Sequence, residues 1–187
     1  HREALEQKFG SQIFDTAELS IKTFQPEIIE DMQAVNKGFS EYTQLKGGAE
    51  IKLDGETYNL SSIIPLEQVA DREARQRASK AKWDWMGEHS ERFETIYNDL
   101  VQVRHGMAKK LGYDNYVGLG YANMNRTDYG PEQVANFRLQ VKKHIVPIAQ
   151  KLAEAQAKRI GVNRLTYYDV NFRFPDGNPK PVGEMAD

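Results

Sequence analysis

Four histidines, His1, His89, His105 and His144, are the side chains best suited to hold a metal, and their spacing decides what they can do. A helical zinc site needs two imidazoles at i and i+4 on one face, with a glutamate beside the first to act as base toward metal-bound water. No two of these histidines are four residues apart. A ligand set drawn through space from His105, His144 and a carboxylate is the alternative; surface or helix-packing histidines are the plainer reading. Nucleophilic chemistry finds no better footing. There is no cysteine, which excludes disulfides, thiolate zinc sites and cysteine nucleophiles together. Ser11 after Gly10 and the pair Ser61-Ser62 lack the G-x-S-x-G elbow and read as helix starts.

Three polar clusters remain. Arg126, in Asn125-Arg126-Thr127-Asp128-Tyr129, stands in a polar loop just before a helix N-terminus, where a guanidinium can hold a carboxylate in a bidentate fork. The competing role is internal, with Arg126 and Asp128 tying the loop together. Tyr167-Tyr168-Asp169 follows the longest helical pattern; exposed Tyr pairs line peptide clefts, and the competing role is Tyr packing with Asp169 as a turn or cap. The basic run Arg72, Arg75, Arg77, Lys80, Lys82 alternates with Glu73 and Asp84, so it reads as a solvated face with i,i+4 pairs.

The elements that must position these residues are mostly helices. Arg2 to Phe9 is a short helix ended by Gly10. Ile13, Phe14, Ala17, Ile21 and Phe24 repeat at three- and four-residue steps up to Pro26. Pro26 starts the next helix, whose stripe is Ile28, Ile29, Met32, Val35, Phe39 and Tyr42. Between 49 and 60 the period changes, and Asp54-Gly55 predicts a two-strand hairpin that must lean on a helix. Asp71 caps a helix carrying Ala74, Ala78, Ala81 and Trp85 on one face. Ser90 opens another, with Phe93, Ile96, Tyr97, Leu100, Val103 or Arg104, Met107 and Leu111 in line, and the short join at His89 predicts antiparallel packing.

Leu111 to Tyr129 is a joint. Gly112 ends one helix, Pro131 begins the next, and Tyr113, Tyr116, Leu119 and Tyr121 or Ala122 recur at helical spacing between them. Gly118, Gly120 and Gly130 loosen it. Pro131 to about Arg159 is the longest helix, with Val134, Phe137, Val141, Ile145, Ile148, Leu152 and Ala155 on one face and Pro147 predicting a bend or local break. The rest is rich in aromatics, Gly and Pro and reads as an extended connection. The fold class is all-α with one small β-hairpin near 49–60, and the division is 1–110 against 111–187.

With 25 basic and 27 acidic side chains, a net charge of −2 does not suit a dedicated nucleic-acid binder. No apolar run reaches the ~18 residues that cross a bilayer.

LGYDNYVGLGYANMNRTDY at 111–129, with VANFRLQVKKHIVPIAQKL and YYDVNFRFPDGNPKP downstream, resembles the oligoendopeptidase F family of zinc metallopeptidases, relatives of thimet oligopeptidase. FGSQIFDTAELSIKTFQPEIIEDM, LDGETYNLSSIIPL and DREARQRASKAKW extend the resemblance over nearly the whole chain. Each motif is weak alone, and their order and spacing make the match specific. The family's H-E-x-x-H helix is nowhere in the sequence.

The resemblance implies a fragment of a cytoplasmic zinc metalloendopeptidase that cleaves short peptides. The chain opens at His1 and closes at Gly183-Glu184-Met185-Ala186-Asp187, which on this reading marks an internal piece lacking the catalytic section. It implies zinc in the intact parent and none on this fragment, with no catalytic and no metal-ligating residue among the 187. Arg126, Tyr167, Tyr168 and Asp169 become the candidates for the channel wall. The partners implied are short peptides and the missing catalytic lobe, with a dimer through exposed apolar surface where that lobe belongs. The alternative is a free-standing helical interaction module, which would close its apolar faces and have no enzyme attached.

Overall fold

The structure, a computed structural model, describes residues 1–179. The end of the extended connection, residues 180–187, lies outside the described residues. The protein is mainly helical with one two-stranded antiparallel sheet among the described residues. It forms two compact units, each built from two stretches: His1–Thr43 with Arg92–Leu139, and Gln44–Glu91 with Gln140–Asp187.

The first unit contains α1 (Arg2–Phe9), α2 (Gln12–Thr23), most of α3 (Ile29–Gly47), nearly all of α5 (Ser90–Lys110), α6 (Tyr116–Asn123) and all but the last residue of α7 (Pro131–Gln140). Pro26 opens a single 3₁₀ turn, Pro26–Ile28, that feeds α3. α3 and α5 run antiparallel: Tyr42 meets Phe93 edge-on at 5.9 Å near one end, and Lys110 reaches Asp31 at 2.6 Å at the other. Between them Gly38 gives Leu100 room, since a Cβ there would lie 2.9 Å from the Leu100 side chain. The core is Ile28, Met107, Ala108 and Leu119, with Met32, Val35, Val103, Leu111, Tyr113 and Tyr116 packed round it. A Schellman turn closes α5: Tyr113 N–H donates to Ala108 O at 2.8 Å, Gly112 N–H donates to Lys109 O at 3.1 Å, and Gly112 has φ 80°. Asn115 then caps α6, its Oδ1 accepting from Val117 N–H.

The second unit holds β1 (Ile51–Leu53), β2 (Glu56–Tyr58), α4 (Arg72–Glu88) and α8 (Val146–Arg159). The hairpin pairs Ile51 with Tyr58 and Leu53 with Glu56. Asp54 and Gly55 have φ 51° and 87°, the two left-handed residues of a type I′ turn. β1 packs on α4, the support a lone hairpin needs. Gly55→Ala is expected to cost about 1 kcal/mol, read from urea unfolding, because a side chain strains that backbone. The Oδ1 of Asp71 caps α4, accepting from Glu73 N–H at 2.9 Å and Ala74 N–H at 3.2 Å.

The long helix predicted from Pro131 breaks as expected. A π turn, Val141–Ile145, separates α7 from α8 immediately before Pro147. Proline lacks the N–H that would bond the carbonyl of residue 143, and one wider turn absorbs the misfit.

Several apolar positions read as buried are not. Tyr97 is 71% exposed, so the α5 stripe bypasses it. Phe137, Ile145, Ile148 and Leu152 are all more than half exposed. Helical spacing puts these residues on a face without supplying anything to cover it. Among the described residues, no helix is long and apolar enough to cross a membrane.

Candidate functional site

In the second unit the chemistry collects where α4 meets the chain after α8. Asp169 is fully buried. Arg72 donates to it through both arms of the fork, Nε to Oδ1 at 3.1 Å and Nη2 to Oδ2 at 2.9 Å, and Arg75 Nη2 donates to Oδ1 at 3.0 Å. Thr166 closes a turn on the other oxygen, its N–H at 3.1 Å and its hydroxyl at 2.7 Å. Burial works to raise the Asp169 pKa, but the bonds from Arg72, Thr166 and Arg75 outweigh it and hold the carboxyl far below its ordinary 3.8.

Arg75 is buried with its carboxylate. Nη1 donates to Val69 O at 2.8 Å and Ala70 O at 2.9 Å, Nε donates to Tyr168 O at 3.3 Å, and the group lies 4.2 Å over the Phe172 ring. Gln156 Nε2, on α8, stands within bonding distance of the carbonyls of Asp169, Val170 and Phe172. One turn further along α4, buried Glu67 accepts from Ser79 Oγ at 2.8 Å and Lys82 Nζ at 2.6 Å. The basic run is thus not an ordinary solvated face. Arg72, Arg75 and Lys82 neutralise two buried carboxylates brought by the flanking chain, which the local alternation with Glu73 and Asp84 conceals.

This lock presents the tyrosines. Tyr167 is 54% exposed and meets Tyr168 edge-on at 5.0 Å, while Tyr168 faces the Arg72 guanidinium at 5.1 Å. Asp169 has both oxygens occupied and holds the loop, and Tyr167 is the more exposed of the two rings.

Arg126 belongs to the first unit. Its guanidinium lies 4.5 Å from the Tyr121 ring and 5.1 Å from the Tyr129 ring, and Asn125 before it takes φ 53°. The joint's tyrosines hold the arginine in place of the Asp128 partner weighed from the sequence.

The histidines are dispersed. His89 stacks on Trp85 at 4.2 Å and its Nδ1 lies 2.8 Å from the Trp85 carbonyl, a helix-end packing role, while His105 and His144 are exposed. Among the described residues no three His, Asp or Glu side chains come together as a metal would require. They do not fit a zinc site.

One helical unit packed on an apolar cluster, and a second braced internally by buried arginine–carboxylate and lysine–carboxylate pairs, define a scaffold that presents loops. The chain belongs to peptidase family M3, whose sequence model matches residues 66–175. Among solved structures it is 51% identical to PZ peptidase A, solved with an inhibitor, with a TM-score of 0.92 over 99% of this chain and 33% of that one. It is 47% identical to a structure described as oligoendopeptidase F from Bacillus anthracis str. Ames, TM-score 0.90, over 99% of this chain and 34% of that one. A further structure described as oligoendopeptidase F is 46% identical, with a TM-score of 0.92 over 99% and 33%. The chain therefore spans about a third of the length of these relatives. No curated protein matches it.

Proposed function

We propose that this chain is part of a zinc-dependent endopeptidase that hydrolyses short peptides, and that it supplies wall rather than catalytic centre. Membership of the peptidase family carries the proposal. The loops are suited to the part: Tyr167 and Tyr168 stand on a segment pinned by buried ion pairs, and Arg126 is oriented by two rings. A wall must keep its shape when a ligand arrives, and rigid backing is what these contacts provide.

On this reading residues 1–110 form a helical lobe with the hairpin, and 111–187 form the joint, the long helix and the lead into the catalytic domain. Zinc is the cofactor of the whole enzyme, held by residues outside this chain, and the cytoplasm is its compartment. The catalytic lobe covers the exposed face of Ile145, Ile148 and Leu152, and a dimer through that face is the substitute when the lobe is absent.

The test has two arms. The 187-residue chain alone is expected to retain no stoichiometric zinc and to leave a fluorogenic oligopeptide intact; chelator-sensitive cleavage by it would overturn the reading. In the full-length parent, Tyr167→Ala is expected to raise KM about five- to tenfold with kcat little changed, the signature of lost uniform binding. An unchanged KM removes Tyr167 from the wall.

A further inference from the structure

Arg75 and Arg104, two cations withdrawn from solvent, are treated in opposite ways. Arg75 spends its donors on Val69, Ala70, Tyr168 and Asp169, as a buried guanidinium must. Arg104, on α5 in the first unit, makes no hydrogen bond and no ion pair with any described residue, and its Nε is buried without an acceptor. Two aromatic rings flank it instead: Phe39 of α3 at 5.1 Å and Tyr116 of α6 at 5.5 Å. Phe39 is itself about half exposed.

Rings orient a guanidinium and shed water from its faces, but they satisfy none of its five donors. A group partly stripped of water and given no acceptor is costly for a fold to keep. Arg126 shares the aromatic flanks but stands in a loop; Arg104 is fixed on a helix between two others. The helix and the two rings fix its position, and the guanidinium, only partly buried as a whole, is pre-organised to receive a planar anion.

We propose that Arg104, walled by Phe39 and Tyr116, is a carboxylate-binding site that takes a carboxylate of the peptide ligand. The identity of the ligand rests on the channel reading above; the chemistry of the site does not. The carboxylate is either the peptide's C-terminus or an acidic side chain, and both present the same two oxygens.

The experiment follows the Arg104 Nε–H signal of the ¹⁵N-labelled 187-residue chain by NMR, the signal being assigned by its disappearance in Arg104→Lys. The probes are acetate, the tripeptide Ala-Ala-Phe as free acid, its C-terminal amide, and an amidated Ala-Glu-Phe. Acetate and the free acid are expected to move the signal, the plain amide is not, and the charged peptide is expected to bind about tenfold more tightly than the amide, the worth of one charge-assisted pair. Movement with amidated Ala-Glu-Phe but not with free Ala-Ala-Phe assigns the site to an acidic side chain; the converse assigns it to the terminus. Equal response to all four probes, or to none, overturns the site. If the amide perturbs the Tyr167 ring while Arg104 stays silent, the channel wall stands and the carboxylate site falls. If acetate moves Arg104 and no peptide reaches Tyr167, the reverse holds.

Discussion

Replacing Asp169 with alanine is expected to destabilise the second unit by about 3–5 kcal/mol, because it leaves the buried Arg75 cation and the fork of Arg72 without their counter-charge. Asp169→Asn keeps the shape and one accepting oxygen, but it loses the charge and sets an amide donor against donors, so it is expected to recover only part of the loss. The measurement is urea unfolding followed by a probe within the unit, such as the fluorescence of buried Trp85. An Asp169→Ala protein as stable as the parent chain would show that the ion pairs contribute nothing.

The same carboxylate sets an acid limit. Its folded pKa is depressed below the ordinary 3.8, so the unfolded chain binds the proton more readily. Stability from this group is therefore fully present above about pH 4 and is lost as pH falls below it toward the depressed folded value. In Asp169→Asn that part of the acid sensitivity is expected to vanish, flattening the stability curve below pH 4.

The second large effect belongs to the other unit. Leu119 is fully buried on α6 against Ile28, Met107 and Ala108. Leu119→Ala removes three heavy atoms from the centre of that cluster and is expected to cost about 3 kcal/mol, within the range for such cavities. Amide hydrogen exchange over 103–123 should accelerate accordingly, by about a hundredfold where exchange follows unfolding of this cluster. Leu119→Met, which fills most of the space, should recover the greater part. Equal losses for alanine and methionine would place the defect in α6 itself rather than in the cavity.

Much of the fold was legible because local chemistry and tertiary structure agree. Asp71 caps α4, Asp54-Gly55 turns the hairpin, Gly112 and Gly161 end helices in left-handed turns, and Pro147 interrupts the long helix. What escaped was long-range. Arg75 and Asp169 are 94 residues apart, and nothing near either announces the other. A signal was present on α4: Arg75, Ser79 and Lys82 share the three- and four-residue rhythm of Ala74, Ala78 and Ala81, so polar groups occupy the edge of the helix's buried face. Tyr167-Tyr168-Asp169 stood out as a cluster, but its division into a buried anchor and an exposed ring needed the coordinates. Arg104 was read only as one of two choices for a position in an apolar stripe. Its oddity is an absence of partners, which spacing does not reveal.

The reach of the Arg75 clamp also bears on how the polypeptide is made. Arg75 grips carbonyls just ahead of its own helix and a carboxylate 94 positions downstream. At ribosomal speeds of 5–20 residues per second, Asp169 is synthesised roughly 5 to 19 seconds after Arg75. For that interval the guanidinium has no counter-ion from the far side and must keep its hydration, so the surface that becomes the interior of this unit stays wet until Asp169 has been made. The nascent chain can form α4 early, but it can seal that helix only when the stretch around Tyr168, Asp169 and Phe172 has arrived.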